Sequence, residues 1–172
     1  MLPRYLSILI LMLTVWISST PATDAQNLPR AFSPGHLLVE GNVVQSLDLS
    51  PQDLTGLPRQ SVGARDHTGT EVTFEGVSLR DVLRLAGVPQ GEALRGNHLT
   101  TYILVEAADG YRVVFALAEL DPAFHDRLVM LADRQNGQAI PEKDGPLRLV
   151  IPDEKRQARW VRQVIRVIVR QP

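Results

Sequence analysis

Residues 144–169 read DGPLRLVIPDEKRQARWVRQVIRVIV. Gly145-Pro146 opens an apolar run, Pro152 closes it, and a charged loop leads to Trp160 and an arginine-studded run. Proline has no N–H to give to a strand ladder, so the two prolines bound the first run. The pattern predicts a short strand, a loop and a longer closing strand. In that last strand Ile165, Val167 and Val169 are expected on one face, and Arg162, Arg166 and Arg170 on the other. Such alternation implies one buried face and one polar face.

Working back along the chain, the same punctuation recurs. HLLVEGNV, from His36, predicts a strand ending at Gly41. In LSPQDLTGLP, Ser50 suits a helix cap, Pro51 the first helical position and Gly56 the stop. QSVGARD and TEVTFEG predict two strands joined around residues 67–69. In VSLRDVLRLAGV, residues Leu79, Val82, Leu83 and Ala86 follow the spacing of one helix face. Ser78 and Asp81 suit a capping box, and Gly87 a left-handed stop. LTTYILVEAADGYRVVFALAEL predicts a hairpin about Asp109-Gly110, with Tyr111, Val113 and Phe115 alternating with Arg112, Val114 and Ala116. DRLVMLADRQNGQAI adds a strand and an Asn136-Gly137 turn. The sum is an α+β fold, rich in β-strand, with a mixed sheet and one main helix.

At the other end, Arg4 precedes the uncharged apolar run 5–17, and small and polar residues follow. This is a secretory signal pattern. The run is shorter than the roughly 20 residues a membrane-spanning helix needs, so cleavage is favoured over anchoring. Thr23 and Ala25 mark the cut, with Ala22 as the alternative. The chain then divides into a signal peptide (1–25), a leader (26–35) and one domain (36–172). A periplasmic or secreted location follows, with no stable membrane insertion once the signal is cut. Removing 25 residues from 172 leaves 147, enough for one core. Eighteen Lys and Arg against nineteen Asp and Glu leave no basic excess for nucleic acid. There is no cysteine. That removes disulfides, thiol catalysis, Cys-ligated zinc and iron–sulfur clusters.

Four stretches, in this order, resemble the sulfite oxidase-like molybdopterin-dependent oxidoreductases. They are FEGVSLRDVLRLAGV, ADGYRVVFAL, RQNGQAIPEKDGPLRLVIP and RWVRQVIRVIV. The resemblance runs from His36 to Val169 and implies that family's fold. It also implies a molybdenum-ligating Cys thiolate ahead of the helix segment. The matching stretch here, residues 61–68 of QSVGARDHTG, holds no thiol. A serine hydroxyl or an alanine does not replace a thiolate as a metal ligand. The expectation is therefore a non-catalytic domain that binds a small anionic ligand or a periplasmic protein partner. No catalytic residue, metal or cofactor is expected, and molybdopterin enters by resemblance only. The alternatives are a molybdenum enzyme with an atypical ligand, and a purely structural or interaction module.

Five residues are singled out for a ligand: Tyr111, Arg148, Lys155, Arg159 and Trp160. Arg148 suits a bidentate grip on an anion such as a pterin phosphate; its plain alternative is a strand position paired with a carboxylate. Lys155, Arg156 and Arg159 would line the pterin site if it used this loop, but DEKRQAR also reads as a solvated loop of cancelling charges. Trp160 and Tyr111 can stack on a ligand or simply pack. The four histidines show no metal-site spacing and read as isolated surface residues; a zinc site from Asp66 and His67 is the alternative. Export predicts a mature chain starting at Gln26. Mass spectrometry of exported protein checks this, and finding residues 1–17 intact would indicate an anchor instead.

Overall fold

The structure, a computed structural model, describes Ser33 and residues 35–172. The signal peptide and nearly all of the leader lie outside the described residues. Ten strands and two helices follow in order: β1 (Leu37–Gly41), β2 (Leu47–Leu49), α1 (Pro51–Thr55), β3 (Arg59–Arg65), β4 (Glu71–Ser78), α2 (Leu79–Leu85), β5 (Tyr102–Ala107), β6 (Arg112–Ala116), β7 (Met130–Gln135), β8 (Gln138–Ala139), β9 (Arg148–Val150) and β10 (Val164–Arg170). One sheet runs β2-β1-β10-β5-β6. Within it β1 and β10 are parallel and the other pairs antiparallel, so the sheet is mixed. The second sheet runs β3-β4-β7-β8, with β9 also on β7. The fold is α+β with one main helix, as the strand and helix signals predict.

Local chemistry explains the elements. The Ser50 hydroxyl accepts from the Asp53 N–H while the Asp53 carboxylate accepts from the Ser50 N–H, closing a full capping box on α1. Gly56 ends that helix in a right-handed conformation, so its glycine freedom is unused. At α2 the expected box does not form. The Ser78 hydroxyl accepts from the Arg80 N–H, and Asp81 turns outward to Arg84 at 3.0 Å. Gly87, with φ of +78°, supplies the left-handed stop. In the β5–β6 turn only Gly110 is left-handed, whereas Asn136 and Gly137 both are, so only the second turn has the paired positive φ of a tight type I′ hairpin.

Leu79, Val82, Leu83 and Ala86 are buried together, as their spacing predicts, in a core shared with Phe74, Phe115, Leu37 and Val167. The closing strand differs from simple alternation. Its register with β5 shifts between Val164 and Arg166, which turns Ile165 partly outward and buries Val164. Because β10 lies in the middle of its sheet, Ile168 is buried on the second face too. Arg162 precedes the strand. Glycine is required at Gly76, where β4 passes so close to β7 that a Cβ would run into the Leu131 carbonyl. Truncating the helix face at Leu83→Ala removes apolar contacts and leaves a cavity, so it should cost ~2–5 kcal/mol in urea denaturation; a loss below ~0.5 kcal/mol would mean that the face is not core.

Candidate functional site

All of β9 is buried, and Arg148 in its first position is only 4% exposed. Its guanidinium lies 5.7 Å from the Phe74 ring centre and 5.6 Å from that of Trp160. The two rings meet edge to face at 5.7 Å. Such placement over ring faces offsets part of the cost of burying a cation. Full compensation would need hydrogen bonds, and these are few. The carboxylate of Asp144 stands 3.7 Å from an Arg148 terminal nitrogen, beyond hydrogen-bond reach. The same carboxylate lies 3.3 Å from Arg162 Nε. Arg148 Nε is buried with no hydrogen-bond partner. Burial pulls the Arg148 guanidinium below its ordinary pKa; Asp144 opposes this, Arg162 adds to it and Asp66 opposes it.

Gln163 holds this arrangement in place. It is a non-glycine residue with φ of +47°, a conformation that needs support. Its N–H donates to the Asp144 carbonyl at 2.9 Å, its own carbonyl accepts from Ala108 N–H at 3.0 Å, and its side chain donates to the Glu142 carbonyl at 3.1 Å. Asp144 and Arg162 are thereby fixed beside the β5–β6 turn. There a cleft of about 300 Å³ is lined by Asp109, Tyr111, Gln157, Trp160 and Arg162, among others. The Tyr111 hydroxyl donates to the Ala158 carbonyl at 2.7 Å while its ring stays half-exposed. Trp160 is both wall and core: its indole N–H donates to the buried Ile151 carbonyl at 3.0 Å. Arg148 sits one layer behind, against Trp160 and Asp144.

Arg159 is used differently. Its Nε donates to Glu154 Oε2 at 3.1 Å, and its Nη2 to Glu154 Oε1. Nη1 lies 3.3 Å from Glu119, and the guanidinium stacks 4.5 Å over the Phe115 ring. Arg127 joins through Glu119 at 3.0 Å and Asp153 at 3.1 Å. The hydrogen bond that Arg159 donates to Glu154 raises the Arg159 pKa; burial opposes this, and the charges of Glu154 and Glu119 add to the rise. Arg159 therefore does not offer its fork to an anion as the sequence suggests; an internal carboxylate fills it. Lys155 and Arg156 are exposed on the same loop. The structure places Trp160 and Tyr111 in the lining of one cleft, sets Arg148 behind Trp160 and outside that lining, and leaves Lys155 and Arg159 outside it too.

Asp66 is a turn-former. Its Oδ1 accepts from Thr68 N–H, Thr68 hydroxyl and Thr70 N–H. Among the described residues no group of three or more His, Asp or Glu side chains could hold a metal ion. Asp144, Arg162, Arg127 and Glu119 escape sequence reasoning, because only the tertiary fold brings them to their partners. Asp144 alone left a trace, four residues before Arg148.

A family model described as the oxidoreductase molybdopterin binding domain matches residues 29–171. The chain belongs to this family. Among solved structures it is similar to the sulfane dehydrogenase SoxCD from Paracoccus pantotrophus, with a TM-score of 0.61 and 24% identity over 78% of this chain. The match covers 37% of that structure's chain, so this chain spans well under half of it, and the likeness shows the fold alone. No curated protein matches.

Membership makes molybdopterin the group to test against the residues present. The metal end does not fit: the sequence has no thiol, and at the end of β3 the Asp66 carboxylate is consumed by its own turn. An anionic end fits better, because Arg148 has an unsatisfied donor and shares its one close acid with Arg162. If Trp160 acts in the core as well as on the cleft, Trp160→Phe should cost ~1–3 kcal/mol in urea denaturation by orphaning the Ile151 carbonyl. A neutral result would confine Trp160 to the cleft surface.

Proposed function

We propose that this is an exported, non-catalytic molybdopterin-binding-fold domain that works by binding a small oxyanion in the cleft beside Tyr111, Trp160 and Arg162. The supporting observation is a pair of guanidiniums that share one close carboxylate. Two guanidiniums, Arg148 and Arg162, lean on the single carboxylate of Asp144, and the more buried of them keeps an unpaired donor. Buried donors are nearly always satisfied, so the Arg148 orphan is a place where a water or a bound ligand fits. A tetrahedral oxyanion supplies several acceptors. The absence of cysteine supports the non-catalytic part, and the apolar N-terminal run supports export.

A protein partner is the second reading, favoured by the half-exposed Tyr111 beside the exposed Lys155–Arg156 loop. Calorimetric titration with sulfate and phosphate separates the two. Binding should occur in the wild type and weaken by ~1.5–3 kcal/mol in Arg148→Ala, the range for hydrogen bonds to charged groups. Arg148→Lys, which keeps the charge but loses the fork, should fall between. Circular dichroism checks that each variant folds. Oxyanion affinity equal in wild type and folded Arg148→Ala, or none in either, would shift the reading to a protein partner.

A further inference from the structure

We infer that Arg127 and Arg159 form a second oxyanion receptor, which the chain keeps closed with its own Glu154. The site is independent of the Arg148 cleft. Glu154 presents both carboxylate oxygens to Nε and Nη2 of Arg159, the two-point contact that a bound phosphate or sulfate makes with an arginine. One of those oxygens also lies 3.9 Å from Arg127 Nη1, so it sits between two cations where an anion's oxygen would sit. The receptor does not depend on Glu154 for its shape. Phe115 carries the Arg159 guanidinium on its ring face, and Glu119 bridges Arg159 at 3.3 Å and Arg127 at 3.0 Å.

The plug's side chain is only 14% exposed, so it leaves only when its loop moves. Glu154 belongs to a charged loop whose neighbours Asp153, Lys155 and Arg156 are exposed, and its N–H makes a single turn bond to the Ile151 carbonyl at 3.1 Å. An open cleft of about 390 Å³ lies on the Arg127 side, lined also by Asp126 and Asp153, and brings solvent to Arg127. Charge sets the balance. Glu119, Asp153 and Glu154 outnumber Arg127 and Arg159 by one, which repels anions; without the Glu154 charge the five positions are neutral, and both donors of the Arg159 fork lose their acceptors. The ligand class is a small tetrahedral oxyanion, free or carried on a phosphate monoester. Whatever draws Glu154 away would open the site.

The test is an NMR titration of the arginine Nε–H resonances with inorganic phosphate, with chloride at equal ionic strength as control. In the wild type the Arg127 and Arg159 signals should stay still. In Glu154→Gln, which keeps the side-chain shape, both should shift and saturate at concentrations at least about tenfold lower than any wild-type response. Adding Arg159→Ala should abolish the gain. Glu154→Ser serves as a second opening variant if Glu154→Gln does not fold. The inference falls if folded opening variants respond no more than wild type, if chloride reproduces the shift, or if the wild-type Arg159 signal titrates equally. Arg148 reports on a separate resonance, so failure here leaves the cleft reading standing, and the reverse also holds.

Discussion

The buried Arg148 cation, set against the rings of Phe74 and Trp160, is the interaction on which the rest of the structure depends. Phe74 comes from β4 of one sheet, and Trp160 from the segment that leads into β10, the central strand of the other. A charge so placed would be intolerable in an ordinary core without dense hydrogen bonding. Here ring faces supply part of the compensation and one shared carboxylate another part, while Nε goes without. The strained Gln163 belongs to the same economy. It is tolerated because its three hydrogen bonds fix Asp144 and Arg162 beside the cleft.

Two arginines eleven residues apart therefore have opposite fates. Arg148 is undersupplied with acceptors and Arg159 is oversupplied, with two carboxylates and an aromatic face. The contrast bears on what a molybdopterin-binding fold can do once its metal ligand is missing. On the proposed reading the positive groups anchor no metal-bound cofactor: Arg148 serves an anion-binding cleft, while Arg159 takes in an internal carboxylate. Fold membership carries the scaffold across; it does not by itself carry the chemistry.

Much of the scaffold was legible because strands and turns obey local rules. The α2 face, the Asn136-Gly137 turn and the strand bounded by Pro146 and Pro152 all rest on residues near one another in sequence. The misreadings came where a competing local contact or a tertiary demand overrules the simplest local pattern. Asp81 suits a capping box but is drawn to Arg84. The alternation of β10 is broken by a bulge, and its central place buries a second face. The site was less legible. Arg148 and Trp160 announce themselves by type and position, but Asp144 serves Arg162 across a turn, and Glu119 reaches Arg159 over 40 positions. Charge pairing at that range depends on the folded path of the chain.

Molybdenum content tests most directly whether this chain keeps the fold without the family's chemistry. Protein freshly isolated from a host that makes the cofactor should carry no stoichiometric molybdenum by elemental analysis, and should show no sulfite- or sulfoxide-linked dye turnover. A molybdenum atom on each chain, with measurable turnover, would contradict it and make the protein an enzyme whose metal is held without a thiolate.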